Sequence, residues 1–350
     1  MKKLILSFVV LALVIIACQP NSDEITPNQE VAIDMSDFYV YTDDNLSAKS
    51  EEGSHGDKCY SMKVLNQQLK DNPGLENRMF EIEKHTRTLI SNKGAANKGK
   101  PGGGGTTPPT PYVGTVTIPV IINILEDAAH PVTQAHINSQ IAILNDDFNN
   151  NNARTSNVPS LFAALIANTD ITFVLAGVNR KASTKATWGT NNSMKYTSQG
   201  GWDATDPANY LNIWVCEIGG GILGYAQFPG GALATDGIVI GSDFLGENTA
   251  GGQYGHGRTA THEVGHWLNL RHIWGDGRCS QDDFVTDTPS SDRANYGCPS
   301  YPTVHCSSAD MTMNYMDYTD DNCMYMFTNG QNDRMRTIFA SGGSRISFVQ

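Results

Sequence analysis

The chain has no basic tract beyond Lys2-Lys3, no internal repeat, and few charged residues for its length. With a net charge of −12 over 350 residues, the missing basic tract argues against nucleic acid as a partner. Only 17% of residues are charged against 39% hydrophobic, which excludes wholesale disorder and permits a packed core. What is abundant is glycine, 34 residues, pointing to turns and strands rather than a helix bundle.

The N-terminus MKKLILSFVVLALVIIAC has two lysines, a continuous apolar run and a small residue, the layout of a secretory signal. The run is too short and wrongly flanked for a comfortable spanning helix. Its end, Ile15-Ile16-Ala17-Cys18, resembles the lipobox of bacterial lipoproteins, in which Cys18 would become the lipidated first residue. An ordinary cleavage site that leaves Cys18 by chance is the other reading. The chain is thus expected to be exported, as a cell-envelope or cell-surface lipoprotein whose only membrane contact is the acyl anchor. Release of its mature C-terminal part outside the cell is compatible with this. The seven cysteines fit an oxidising compartment. Cys216 sits in an apolar run as a buried thiol, and Cys59 lies far upstream. Cys279, Cys298, Cys306 and Cys323 cluster late, with three pairings open.

Residues 1–18 therefore read as the signal and 19–57 as a polar, acidic tether. Met62, Leu65 and Leu69, then Leu75, Met79, Ile82 and Leu89, recur at helical spacing around Asn72-Pro73-Gly74. This predicts a helical hairpin with too little apolar surface to stand alone, completing an N-terminal segment at 19–92. KGAANKGKPGGGGTTPPTP, residues 93–111, is a linker whose lysines invite proteolysis, so the N-terminal segment reads as removable; an inert spacer is the plainer reading. The body, 112–350, opens with the β-branched run VGTVTIPVIINIL. Thr133 can cap a helix whose face is Ile137, Ile141, Leu144 and Phe148. ITFVL (171–175), LNIWVCEI (211–218) and two short glycine-bounded runs follow, so strands interleave with helices in an α/β sheet domain.

The chemistry concentrates in THEVGHWLNLRHIWGD, 261–276. His262 and His266, four apart, share one face of a helix and can reach a single zinc ion. Glu263 can reach a water on that ion instead. His272 lies six residues past His266, out of reach on a continuing helix, so the chain must turn sharply through a left-handed residue near 269. In HExxHxxGxxH a glycine makes this bend. Here the residue is Asn269, the best non-glycine occupant of that geometry. HExxH alone is a weak motif; the third histidine at the right distance sharpens it. Thr328-Asn329-Gly330-Gln331 adds a capping box for a C-terminal helix.

HEVGHWLNLRHIWGD, DDFVTDTP (282–289) and NYMDYTDDNCMYMFTNGQ (314–331), with the order of the late cysteines, resemble the pappalysin family of metzincins across 112–350. The resemblance implies a secreted zinc endopeptidase with a mixed, mostly parallel five-stranded sheet, an active-site helix, a backing helix and a front cleft. It implies that His262, His266 and His272 bind zinc and that Glu263 is general base and acid. Met316 would be the Met-turn methionine, and Tyr318 would swing toward the scissile group. Gly224, Tyr225, Ala226, Gln227 and Phe228 would form the edge strand that aligns substrate. The implied disulfides are Cys279–Cys306 and Cys298–Cys323. Calcium near Asp283, Thr286 and Asp287 is also suggested, a solvated acidic turn being the plainer reading. Some pro-segments of the family place a cysteine thiolate on the zinc, a part that Cys59 could take; an unremarkable thiol at a helix start is the alternative.

The expected activity is hydrolysis of internal peptide bonds of protein or peptide substrates, with Glu263 taking the proton of a zinc-activated water. Two rivals differ in class: a catalytically silent binding lipoprotein on the same scaffold, and a zinc exopeptidase. The first predicts erosion of Glu263 or a histidine, and none is eroded. The second needs a barrier closing one end of the cleft, and no motif supplies one. Oligomeric state is not legible.

Overall fold

The computed structural model describes residues 32–42, 58–97 and 108–350, so Cys18 and the signal lie outside the described residues. One compact unit runs from Met35 to Gln350; the separate stretch Met1–Asp34 is described only at 32–34. Among the described residues no helix is long and apolar enough to cross a membrane.

Five strands form the sheet: β1 (Val116–Glu126), β2 (Ile171–Ala182), β3 (Leu211–Cys216), β4 (Gly224–Ala226) and β5 (Ile238–Gly241). Their order is β2-β1-β3-β5-β4. All pairs are parallel except β4 with β5, which leaves antiparallel β4 on the edge. This is the mixed, mostly parallel five-stranded sheet expected. The sheet is covered on both faces, so β3 is buried along its whole length, as continuous apolar runs require.

On one face Val116, Ile118, Val120, Ile122 and Ile124 meet Ile137, Leu144 and Phe148 of α3 (Gln134–Phe148) and Val264 and Leu268 of the active-site segment. Thr133 caps α3 by accepting from His136 N. On the other face Leu125, Trp214 and Val239 pack under Trp188 and Met194 from the long β2–β3 connection. The helix α4 (Arg258–Trp267) lies beside α3 and β4. Beyond it the chain has little regular structure until α5 (Asn329–Thr337), which opens with the anticipated Thr328–Gln331 capping box. Disulfides Cys279–Cys306 and Cys298–Cys323 brace this stretch.

The N-terminal hairpin is α1 (Ser61–Asp71) and α2 (Leu75–Asn97). Met62, Leu65, Leu69, Leu75 and Met79 cluster with Val40 and Phe228, so its apolar face is completed by the body. Two boundaries differ from expectation. Helix α2 continues to Asn97, five residues past the reading at 92 (97 − 92), with Lys93 paired to Asp333 of α5. Residues 35–42, read as tether, are packed: Val40 is buried, and Tyr39 OH donates to the carbonyls of Gly275 and Asp282. Acidic composition hid the Phe38-Tyr39-Val40 core of that segment.

Candidate active site

Helix α4 carries His262, Glu263 and His266, all buried, and ends after Trp267. Asn269 takes φ 77°, the left-handed bend inferred from the spacing, and sends the chain back to His272. Leu270 O then accepts from His266 Nδ1 at 2.8 Å. His262 Nδ1 donates to Tyr315 O at 2.7 Å, and His272 Nδ1 to Asp276 Oδ1 at 2.5 Å. With each Nδ1 proton committed to an oxygen, every Nε2 presents a lone pair.

Those three Nε2 atoms stand 3.1, 3.1 and 3.2 Å apart. Three facing lone pairs repel and cannot hydrogen-bond to one another. Tetrahedral zinc with Zn–N near 2.0–2.1 Å needs donors about 3.3 Å apart, so the cage fits the ion. Burial drives the His262 pKa down to about 3 and that of His266 well below its usual value, aided by the neighbouring imidazoles, so both are neutral ligands. Cys59 joins the set: its Sγ and the three histidine nitrogens all lie within 4.8 Å of one another. Burial and then nearby Glu263 push its thiol up; a cation among the histidines reverses that balance, since a coordinating thiol is deprotonated.

Below the cage lies Met316. A Cβ on Gly265 would come within 2.4 Å of Met316 Sδ, so glycine here lets the methionine seat under the helix. Tyr315 and Asn314 lead into this turn; Asn314 Oδ1 accepts from Met316 N. Tyr315 OH donates to Asp147 of α3, which also receives Thr261, Arg258 and Asn152. The backing helix thus fixes the carbonyl that orients His262.

Tyr318 is buried, its ring 4.9 Å from that of His272, and its hydroxyl donates to Cys59 O at 3.2 Å. On the other side Gly224 approaches α4 so closely that a Cβ would fall 3.1 Å from Thr259 Cγ2 and 3.2 Å from Glu263 Cγ. Edge strand β4 therefore runs directly beside the general-base candidate. Its ladder ends at Ala226; Gln227 turns its side chain to Thr235, and Phe228 packs 5.1 Å from the His266 ring.

Residues 58–60 lie parallel along this edge: Leu223 N donates to Lys58 O, and Tyr60 N to Gly224 O, both at 3.0 Å. Ser61 Oγ then donates to Glu263 Oε2 at 2.7 Å and accepts from Ala226 N at 2.7 Å. Glu263 Oε1 is buried without a partner among the described residues. Burial, eased by the Ser61 hydrogen bond, lifts Glu263 to about 8. The Lys58 ammonium donates to Tyr318 O and lies 3.9 Å over the Tyr254 ring.

At 282–289 the acidic side chains are engaged locally. Asp287 accepts from Thr328 Oγ1 and Gly330 N, capping α5, while buried Asp283 accepts from Thr288 and Val285 N; Thr286 is exposed. Burial, then the Asp282 carboxyl, pushes Asp283 well up.

Sequence reading overlooked Ser61, Asp276 and Asp147. Asp276, four residues past His272, carried a usable signal, because a ligand histidine nearly always hands its second nitrogen to an oxygen acceptor. Ser61 and Asp147 carried none, since each meets α4 from a distant part of the chain.

Three converging imidazoles, an adjacent carboxylate and a sheet edge that pairs with an extended segment define a zinc-dependent peptidase. A family model for Peptidase_M43, described as pregnancy-associated plasma protein-A, matches residues 192–340. An extracellular metalloprotease of Pyricularia oryzae is 33% identical over 232 residues, covering 63% of this chain and 72% of that one. Among solved structures, Tannerella forsythia mature mirolysin in complex with a cleaved peptide is 43% identical with a TM-score of 0.65, covering 68% of this chain and 96% of that chain. A promirolysin mutant from the same organism is 37% identical with a TM-score of 0.71, covering 83% and 95%. The chain belongs to this family of pappalysin metallopeptidases. It is an exported zinc metalloendopeptidase, acting on peptide or protein substrates.

Proposed function

We propose that the structure is the latent form of this endopeptidase, and that His262, His266 and His272 hold the zinc, with Cys59 as a fourth ligand until residues 58–97 leave. The observation that carries the reading is the convergence of three histidine lone pairs and one cysteine sulfur in a single buried cage. Zinc, when bound, supplies Lewis acidity that polarises a carbonyl and makes water nucleophilic near neutral pH.

The chain's own residues do the rest. Once Ser61 has left, Glu263 is free to take a proton at Oε2 and later return it to the leaving amine. Tyr318 OH, released from Cys59 O, becomes a donor for the developing oxyanion. Substrate replaces residues 58–60 on β4 and gains the same backbone hydrogen bonds at Leu223 N and Gly224 O. An edge that reads backbone at an internal position suits an endopeptidase, and Met316 holds the cage from below.

The domain assignment follows: signal 1–18, N-terminal inhibitory segment through 92–97, linker to 111, and a catalytic body from 112. Lipidation at Cys18, with tethering to the cell envelope, rests on the Ile15-Ile16-Ala17-Cys18 motif. Calcium near Asp283, Thr286 and Asp287 rests on the crowding of Asp283 with Asp282, which a cation would relieve; added calcium should raise the Tm of metal-loaded protein.

The test is gelatin and casein cleavage by the full chain before and after a cut within 98–107, beside Glu263→Ala, with zinc quantified. Cleavage that appears on maturation and disappears on chelation and in the variant, which keeps about one zinc per chain, is the expected result. Zinc-loaded mature protein that cuts neither protein nor a peptide library would overturn it.

A further inference from the structure

The removable segment covers a second recess besides the zinc cage. Phe228, Asn269, Arg271 and Arg334 of the body line one side of it, and Glu83 of α2 lines the other beside Phe38, Met79 and Ile82. Glu83 takes both Arg334 terminal nitrogens, at 3.1 and 2.5 Å, in the forked geometry that guanidinium offers a carboxylate. Arg334 and Glu83 are 2% and 3% exposed, so this ion pair is sealed from water. Arg271 is 5% exposed, and its Nη1 has no hydrogen-bond partner among the described residues although it borders the same recess. Both guanidiniums stack on Phe284, at 4.7 and 5.6 Å from the ring.

When residues 58–97 leave, Glu83 leaves with them and both arginines stay. Two neighbouring cations on an aromatic face, one already fork-shaped toward a carboxylate, then lack the anion that balanced them. The recess adjoins the substrate track. Phe228 is two residues past the end of β4 and packs on His266, while Gly224 sits so near Glu263 that a Cβ on it would meet that side chain. At about 3.3 Å per strand residue, a peptide on β4 brings a side chain to the recess within about four positions of the reacting bond.

We infer that Arg271 and Arg334 form a substrate subsite for an acidic side chain, which Glu83 occupies in the uncut chain. This rests on the proposed departure of residues 58–97. Arg334 Nε also donates to Asn269 O, so it supports the bend of the zinc motif. Discrimination between charged and neutral substrates, rather than activity itself, is therefore the readout.

The experiment matures the full chain by a cut within 98–107 and supplies peptides that differ only by Glu or Gln, walked across both sides of the cleaved bond. The expected result is a Glu-over-Gln preference in kcat/KM of about tenfold, at one or two adjacent positions on one side only. The ratio should fall to near unity in Arg334→Gln and substantially in Arg271→Gln, whatever each variant's absolute rate on a neutral peptide. The same peptides titrated into matured Glu263→Ala should show the same preference in Kd, so discrimination is read even without turnover. Failure to cut any peptide counts against the proposed function alone. Equal affinity for Glu and Gln peptides, or a preference that survives both arginine variants, overturns the subsite.

Discussion

Helix α4 is buried on two sides by polar groups of opposite permanence. Behind it, Asp147 gathers Thr261, Arg258, Asn152 and Tyr315, all within the body. In front, Cys59 and Ser61 come from the segment proposed to leave, as does Glu83, which pairs with Arg334 of α5 beyond the end of the helix. Each side satisfies buried polar atoms, yet only the front can be opened without an unpaired charge in a dry core, because water enters as the segment departs. Buried polar contacts therefore serve as permanent fasteners where both partners stay, and as releasable ones where a partner can be exchanged for solvent or substrate.

Breaking the permanent side should cost most. Asp147→Ala strands Arg258 and Tyr315 and is expected to destabilise cut and uncut protein alike by about 3–5 kcal/mol, read by urea unfolding. Equal stability to wild type would show that the network is not a fastener. On the releasable side, Cys59→Ala should leave the fold intact and raise peptide cleavage by the uncut, zinc-loaded chain about tenfold or more; unchanged latency would assign inhibition to mere coverage. Glu83→Gln should act more weakly, speeding dissociation of the cut segment by several-fold. Burial alone would raise Glu83, but Arg334 and Arg87 overcome it and hold the carboxyl at about 2 rather than 4.5. Its contribution to docking is thus complete above pH 4.5 and is lost as pH falls toward 2. Retention of the segment, followed by gel filtration from pH 6 to 2, should decline in wild type over that window and be flatter in Glu83→Gln. The smallest effect is expected at the bend: Asn269→Gly relieves a left-handed φ of 77° and should raise body stability by about 0.5–1 kcal/mol in thermal melts.

Much of this was legible in the residues, for a physical reason. The histidine spacing fixes a helix face and then forces a reversal, so both the cage and the bend at Asn269 follow from helix geometry. Apolar periodicity located the hairpin and α3, and β-branched runs located the strands. The ends of elements were less legible: α2 reaches Asn97 because Ala95 and Ala96 favour helix and Lys93 finds Asp333, a partner 240 residues away. The packing of 35–42 and the roles of Ser61, Glu83 and Asp147 were hidden for the same reason. Each depends on a contact between distant parts of the chain, and no local pattern announces it.

The stretch between α2 and β1 is fastened at both ends. Asn92 Nδ2 donates to Pro109 O, and Arg336 grips the carbonyls of Tyr112, Gly114 and Thr169. A cut between 98 and 107 therefore severs a bond without releasing anything. It converts an inhibitor held at high effective concentration into a separate molecule that must be diluted away. Activation then has two clocks, one set by the cutting protease and one by the off-rate of the segment. Where dilution is slow, a nicked chain can stay silent; where dilution is fast, the freed segment is lost to it.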